Sequence, residues 1–206
     1  MSFAALFPGQ GSQVVGMGHQ LFEADSLARD LFAEADSVLG YSLSKLCFSG
    51  PPEELTLTQN AQPALLTVSY IAFRLLGQKP ICAAGHSLGE YSALVAAEAL
   101  SFTDAVQLVH KRGRYMQEAV QPGAGKMVAV LGAEVEDISA TISAVSKGVA
   151  QIANLNCPGQ TVVAGDNAGI DEFVSLITAK GQKVIPLNVS APFHCSLMLP
   201  AAEGLR

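Results

Sequence analysis

The segment "AAGHSLGEYSALVAA", residues 83 to 97, places Ser87 between Gly85 and Gly89, after a short apolar run and before an alanine-rich stretch. A Gly-x-Ser-x-Gly sequence between a strand and a helix is typical of a nucleophile elbow, because glycines permit a turn too sharp for a side chain and leave the serine hydroxyl exposed. The helix is expected to begin near Leu88 and to direct free N–H groups toward the serine. The alternative is a tight turn with an inert serine, since the pattern also occurs by chance in loops.

Strands and helices alternate around this motif. Residues 3–7 and 81–84 are predicted as buried strands, and a glycine-rich turn over residues 8–13 follows the first of them. Apolar residues recur at helical spacing over 21–39 and 61–76, and a glycine follows each of these two stretches. The order predicts an α/β fold with a parallel sheet.

The second half of the chain has a different pattern. Strand-like runs and helix-like runs follow one another in the order βαββαβ, at residues 127–131, 135–146, around 152, around 162, 170–179 and 183–189. This order is that of a ferredoxin-like unit, in which two helices pack on one antiparallel sheet. We therefore expect a small subdomain over residues 125–190, inserted into a large subdomain made of residues 1–124 and 191–206.

Composition excludes several classes of protein. The chain has 206 residues, of which 50% are hydrophobic and 15% charged, so it can bury a sizeable core. Its net charge of −6 argues against a nucleic-acid-binding surface, and no apolar run approaches the roughly 18 residues that cross a bilayer. No basic segment precedes the first apolar run as in a secretory signal, so a cytoplasmic location is expected.

The cysteines give no sign of a metal site or of a disulfide framework. They are widely spaced and form no Cys-x-x-Cys pair, so reduced thiols are expected. Their positions are Cys47, Cys82, Cys157 and Cys195. A thiol nucleophile at Cys195, beside His194, is disfavoured because adjacent side chains usually point apart.

One arginine interrupts an apolar helix stripe. The helix predicted over residues 102–120 has a possible capping pair at its start, Ser101 and Asp104, and Arg112 falls on its apolar side. The apolar residues of that stripe are Ala105, Val109, Met116 and Val120. A buried guanidinium must meet either an internal carboxylate or an anionic ligand, and spacing alone favours the internal salt bridge. The neighbouring Gly113 would allow a ligand or backbone to approach closely.

A serine nucleophile needs a base, and His194 is the candidate among four histidines. It follows the last strand of the inserted unit, where the chain would return to the large subdomain, and it follows Ser87 in the order usual for α/β serine enzymes. His86 adjoins Ser87 but would project away from the hydroxyl. The alternative for His194 is a structural hydrogen-bonding role.

Several blocks together resemble the malonyl-CoA:acyl carrier protein transacylase family. They are FPGQGSQ at 7–13, GHSLGEYSAL at 85–94, RG at 112–113 with YMQEAV at 115–120, NCPGQ at 156–160 and APFH at 191–194. The resemblance covers the whole chain and implies an α/β-hydrolase-like large subdomain with an inserted ferredoxin-like one. It also implies a longer chain than 206 residues, so the group that orients the catalytic histidine is not assigned.

The resemblance implies roles for particular residues. Ser87 would be acylated, His194 would act as its base, and Gln10 with the Leu88 backbone N–H would form the oxyanion hole. Arg112 would bind the malonyl carboxylate, a natural partner for a planar fork of donors. The substrate would be malonyl-CoA, the acceptor the phosphopantetheine thiol of acyl carrier protein, and no metal or redox cofactor would be needed.

Two alternatives remain at this stage. The chain could be a non-catalytic fragment or a carrier-protein docking module of such an enzyme. It could also be a serine esterase or thioesterase, in which water finishes the reaction. Against the esterase, no His-Gly oxyanion motif precedes the elbow, and a pocket arginine is a poor neighbour for neutral esters.

Overall fold

The computed structural model describes residues 2–121, 123–187, 189 and 191–206 and divides into two units, Met1–Arg114 and Tyr115–Arg206. Both kinds of sheet expected in a mixed α/β protein are present. The elements in chain order are β1 (Ala4–Phe7), α1 (His19–Ala24), α2 (Ser26–Leu39), α3 (Leu43–Ser49), α4 (Pro52–Thr56), α5 (Thr58–Leu76), β2 (Cys82–Gly85), α6 (Leu88–Ala96), α7 (Phe102–Glu118), β3 (Gly125–Leu131), α8 (Val135–Ser143), β4 (Ala150–Cys157), β5 (Gln160–Asp166), α9 (Asn167–Ala179), β6 (Lys183–Pro186), a 3₁₀ turn (Ser196–Met198) and α10 (Leu199–Gly204).

The helices of the first unit begin and end at recognisable signals. The Asp25 carboxylate accepts a hydrogen bond from the Leu27 N–H at 2.8 Å and starts α2, which ends at Gly40 with φ 72°. At the start of α7, the Ser101 hydroxyl accepts from the Asp104 N–H at 3.1 Å and donates to the Asp104 carboxylate at 2.6 Å. The predicted capping pair is therefore confirmed.

The core of the first unit is formed by helices. Buried side chains of α2, α3, α5, α6 and α7 make one continuous cluster with Leu55 of α4. Helix α5 contributes ten buried residues, and eight of them lie in its first half, at Thr58 and from Asn60 to Leu66. Side chains in the first two turns of α5 are therefore held in place by packing against the other helices of the first unit.

Strands β1 and β2 form a two-stranded parallel sheet with Phe7 opposite Gly85. On one face, Ala5 and Phe7 pack with Ala93 of α6. The prediction of two fully buried strands is wrong, because Leu6 is 78% exposed and Ile81, which precedes β2, is 74% exposed. Alternate residues of β1 point to opposite faces, and helices cover only one of those faces in the described residues.

The second unit contains a four-stranded antiparallel sheet in the order β4, β5, β3, β6. The side chains of β3 alternate between two hydrophobic clusters. Val128 and Val130 pack with Phe173 of α9 on one face, whereas Met127 and Ala129 pack with other residues on the opposite face. Both faces of this sheet are therefore covered.

The two units are a division of the chain by its contacts, and the subdomain bounds expected from the sequence stay a prediction. The expected large subdomain joined residues 1–124 to residues 191–206, whereas the contacts group all of Tyr115–Arg206 together. The reason lies in packing, since Ala191 and Phe193 belong to the same hydrophobic cluster as Met127 of β3.

No helix within the described part of the chain is both long and apolar enough to span a bilayer.

Asp166 joins two elements of the second unit. One carboxylate oxygen accepts from the Gly169 N–H at 2.7 Å and caps α9, and the other accepts from the Val149 N–H at 2.8 Å, before β4. We expect Asp166→Ala to lower the free energy of unfolding by about 1 to 3 kcal/mol, because both N–H groups lose a charged acceptor. Urea denaturation followed by circular dichroism measures this loss.

The matched control is Asp171→Ala. Asp171 pairs with Lys126 at 2.7 Å, but both side chains are largely exposed, and such pairs contribute about 0 to 1 kcal/mol. Equal losses for the two variants would contradict the linking role of Asp166.

Candidate active site

Ser87 occupies a strained turn between β2 and α6. Its φ of 54° and ψ of −104° lie outside the regions that side-chain-bearing residues usually adopt. The turn is possible because its neighbours lack side chains: a Cβ on Gly85 would lie 1.9 Å from the Gly89 carbonyl carbon, and one on Gly89 would lie 2.2 Å from the Phe7 carbonyl oxygen. The expected elbow geometry at Ser87 is thus observed.

The first turn of α6 presents a backbone donor beside Ser87. The N–H groups of Gly89 and Glu90 donate to the carbonyls of His86 and Ser87 at 2.9 and 3.2 Å. Within the ranges that the structure describes, no acceptor is found for the N–H of Leu88, whose side chain is 1% exposed. A donor at the N-terminus of a helix is suited to stabilise a developing negative charge.

Gln10 lies in the loop that follows β1. This loop runs close to the elbow, since a Cβ on Gly9 would lie 2.6 Å from the His86 ring. The Gln10 side-chain amide donates a long hydrogen bond of 3.5 Å to the Thr58 hydroxyl at the start of α5. The amide is therefore held near the elbow by a weak contact that a ligand oxygen could replace.

Arg112 of α7 reaches the hydroxyl of Ser87. One terminal nitrogen, Nη2, donates to Ser87 Oγ at 3.1 Å, and the other, Nη1, donates to Gln62 Oε1 at 2.8 Å. The guanidinium carbon lies 5.5 Å from the centre of the Tyr91 ring. The sequence analysis predicts that Ser87 and Arg112 belong to one site, and the structure places their side chains in contact within the first unit.

The charge of Arg112 is not balanced by a direct ion pair. Across residues 2–121, 123–187, 189 and 191–206, no aspartate or glutamate forms a salt bridge with Arg112. Burial is the main influence and lowers the pKa of Arg112, while the nearby Tyr91 hydroxyl and Glu90 carboxylate act in the opposite direction. Because an arginine remains protonated in proteins, the site holds a partly desolvated positive charge. The geometry favours an anionic ligand over the internal salt bridge.

His194 lies in the second unit. It has a φ of 60° and is exposed, and it lines a groove of about 620 Å³ with Gln151 and Ile152 of β4 and with residues of α8. The chain after it is fixed, because the Ser196 N–H donates to Gln151 Oε1 at 2.6 Å. The imidazole is therefore accessible on a turn whose backbone is anchored.

Cys195 is a poor nucleophile in this setting. Burial raises the pKa of its thiol, and its Sγ donates to the Pro192 carbonyl at 3.1 Å. In the first unit, burial raises the pKa of Cys47 to about 12. Both thiols are therefore mostly protonated at neutral pH, so Cys195 is a weaker candidate nucleophile than Ser87.

Sequence reasoning missed two residues of this site, Gln62 and Tyr91. Both contact Arg112, yet Gln62 lies in an apolar run of α5, and the helix-forming residues around Tyr91 predict a helix without indicating which side chain meets Arg112. The available signal was Arg112 itself, since a buried guanidinium needs acceptors and a buried glutamine can supply one.

A metal centre would need several ligating side chains close together. No cluster of three or more histidine, cysteine, aspartate or glutamate side chains suited to a metal occurs among the residues with described positions.

The chain is similar in sequence to known acyl transferases. Residues 5–206 match the acyl transferase domain family. The malonyl CoA-acyl carrier protein transacylase of Bacillus subtilis is 53% identical over 98% of this chain and 66% of its own length, and that of Escherichia coli K12 is 46% identical over 98% and 68%. The chain thus spans about two thirds of the length of the curated relatives it matches.

Solved structures of the same kind of enzyme resemble this chain in fold. The malonyl CoA-acyl carrier protein transacylase of Coxiella burnetii superimposes with a TM-score of 0.95 at 46% identity, covering 100% of this chain and 67% of that one. PlMCAT, a malonyl-transacylase solved in complex with the type II PKS acyl-carrier protein AntF, gives a TM-score of 0.95 at 44% identity, covering 100% and 68%. The class is an acyl transferase domain, and within it this chain belongs to the malonyl CoA-acyl carrier protein transacylase family.

The thiol environments predict an order of alkylation. We expect iodoacetamide at pH 7 to label the exposed Cys82 and Cys157 first, Cys195 next and Cys47 last. The reason is that only the thiolate reacts, and its fraction falls about tenfold for each unit by which the pKa of a thiol is raised. Raising the pH toward the elevated pKa of Cys195 should increase its labelling. Peptide mass spectrometry over time measures the order, and labelling of Cys195 ahead of Cys82 would instead indicate an activated thiol beside His194.

Proposed function

We propose that this chain moves a malonyl group from malonyl-CoA to the phosphopantetheine thiol of acyl carrier protein, in fatty acid or polyketide synthesis, through a malonyl ester on Ser87. Family membership gives the reaction class. The observation that carries the proposal is the 3.1 Å contact between Arg112 Nη2 and Ser87 Oγ, which sets a cation that forms no salt bridge among the described residues beside the proposed nucleophile.

In the first half-reaction, Ser87 attacks the thioester carbonyl of malonyl-CoA. His194 accepts the hydroxyl proton as the bond between Oγ and carbon forms. The negative charge that develops on the carbonyl oxygen is stabilised by the Leu88 N–H and the Gln10 amide. The carbon–sulfur bond then breaks, and coenzyme A leaves with the proton that His194 returns.

The second half-reaction reverses these steps with a different thiol. The phosphopantetheine thiol gives its proton to His194 and attacks the ester carbonyl, the same donors stabilise the oxyanion, and Ser87 recovers its proton as it leaves. Two sequential transfers through one covalent intermediate give ping-pong kinetics. All the protons move between these groups, so the proposed reaction requires no metal or redox cofactor.

Arg112 selects the substrate in this scheme. The malonyl carboxylate is three bonds from Ser87 Oγ once the ester has formed, and the guanidinium already contacts that oxygen. A guanidinium binds a carboxylate through parallel hydrogen bonds, and partial burial strengthens the pair. The carboxylate would therefore replace the serine oxygen as acceptor for Nη2.

The proposed partner is acyl carrier protein, as in the PlMCAT complex with AntF. No nucleic acid or membrane takes part in the proposed reaction, and we place it in the cytoplasm, in keeping with the net charge of −6 and the water-soluble substrates.

The finer fold assignment forms part of the same proposal. We infer that the first unit belongs to an α/β-hydrolase-like subdomain and that residues 125–190 are ferredoxin-like. The supporting observation is the order β3, α8, β4, β5, α9, β6 with wholly antiparallel pairing.

Acylation of Ser87 is directly measurable. Incubation with malonyl-CoA should add one malonyl group to Ser87, and Ser87→Ala should remove this adduct. His194→Ala should slow its formation by about 10² to 10⁴, the usual contribution of a positioned general base. Intact mass with peptide mapping gives the site and the rate.

Matched controls are Cys195→Ala and His86→Ala, which we expect to keep the adduct. An adduct on Cys195, or a rate lost in His86→Ala but kept in His194→Ala, would show the assignments to be wrong. Complete absence of an adduct in the unmodified chain would favour the non-catalytic docking module, and rapid release of the acyl group to water would favour the esterase.

Arg112→Ala separates transferase specificity from a structural role. Malonyl loading should weaken by roughly 2 to 5 kcal/mol in binding, because the carboxylate then faces a partly apolar pocket without its partner. Loading from acetyl-CoA, which has no carboxylate, should be retained. Rates of Ser87 acylation from the two thioesters, measured by intact mass, report the preference.

Arg74→Ala is the control, since Arg74 also lies 5.5 Å from a tyrosine ring, Tyr70, but on an exposed helix face. It should leave both rates unchanged. If Arg112→Ala lowered both rates together with the melting temperature, Arg112 would be structural.

A further inference from the structure

Gln62 is a buried polar residue in the core of the first unit. Gln62 is 1% exposed, and its side-chain oxygen accepts a hydrogen bond from Arg112 Nη1 at 2.8 Å. A buried amide is unfavourable unless its hydrogen-bonding groups are satisfied, so a glutamine facing a guanidinium in this position calls for a specific role.

Two contacts fix α7 against the start of α5. A Cβ on Gly113 would lie 2.5 Å from the Thr58 carbonyl oxygen, so the helices touch backbone to backbone at this point. One turn earlier, His110 Nδ1 lies 2.9 Å from the Gln59 carbonyl oxygen, within hydrogen-bond distance. Gln62 follows Gln59 by one turn on α5, so its oxygen is a fixed acceptor for one edge of the guanidinium.

The acceptor is uncharged, and this determines how much of the Arg112 charge remains available. A carboxylate at the same place would form an internal ion pair and would compete with any anionic acyl group for the guanidinium. A neutral oxygen orients the guanidinium through one hydrogen bond and adds no negative charge to compete with an anionic acyl group. Nη2 remains directed at Ser87 Oγ, where the acyl group would be attached.

We propose that Gln62 is a specificity-determining positioning residue: its neutral amide holds Arg112 in place and preserves the positive charge that selects acyl groups with a free carboxylate. The inference rests on the proposed function of Arg112. It adds that the charge of the residue at position 62, and not only its ability to accept a hydrogen bond, sets the preference for the acyl group.

Two substitutions separate charge from hydrogen bonding. Gln62→Glu keeps the shape and the acceptor but adds a negative charge, whereas Gln62→Met keeps the approximate shape and removes the acceptor without adding charge. The measured quantity is the ratio of the rates at which malonyl-CoA and acetyl-CoA acylate Ser87 in this chain. A ratio is used because a change in folding or in His194 affects both rates alike.

We expect Gln62→Glu to lower the malonyl to acetyl ratio by at least about tenfold, mainly through weaker malonyl-CoA binding, because the internal carboxylate now pairs with Arg112. Gln62→Met should lower the ratio less, since Arg112 keeps its charge and loses only one contact. If hydrogen bonding alone mattered, the order would be reversed, and that result would overturn the inference.

Folding of each variant is checked by its melting temperature. Should Gln62→Glu fail to fold, Gln62→Met still decides: a loss of malonyl preference as complete as in Arg112→Ala would overturn the inference. Failure of the unmodified chain to form a malonyl ester on Ser87 would refute the proposed function itself, whereas normal loading with unchanged ratios in both variants would refute only the role of Gln62.

Discussion

The candidate active site in the first unit depends on one close approach between backbones, that of Gly89 to the carbonyl of Phe7. Because no side chain intervenes, the start of α6 lies directly against the end of β1. This contact sets the N-terminus of α6 beside the loop that carries Gln10, and it forces the sharp turn on which Ser87 stands. The position of Ser87 and that of the Leu88 backbone donor therefore depend on the same packing constraint.

A second constraint acts through charge. Arg112 places a cation in a partly buried site whose described partners are an amide oxygen, a hydroxyl and an aromatic ring. Such an arrangement costs solvation energy in the free protein, which is recovered when an anion arrives. The backbones of α5 and α7 touch at Gly113 and cannot easily move apart, so Arg112 stays in this partly buried position despite the unfavourable solvation energy.

The sequence predicts those features that depend on local chemistry. The Ser87 turn and the Ser101 cap follow from residue type and spacing and occur where expected, whereas α7 ends at Glu118, before Val120 of the predicted stripe. Features that depend on distant neighbours were not predicted. The exposure of Ile81 and Leu6 depends on which helices cover the sheet, and the contact of Gln62 with Arg112 joins residues 50 positions apart. Both features depend on tertiary packing, which the spacing of apolar residues along the sequence does not predict.

The backbone conformation of Ser87 also bears on how such a protein loses its activity over evolution. A φ of 54° is accessible to glycine and unfavourable for serine, so the proposed nucleophile has a backbone conformation that serine disfavours. Exchange of this serine for glycine would relieve strain while it abolishes the nucleophile. With Ser87 as the proposed nucleophile, a descendant that carries glycine at this position would gain stability in the same step that ends catalysis.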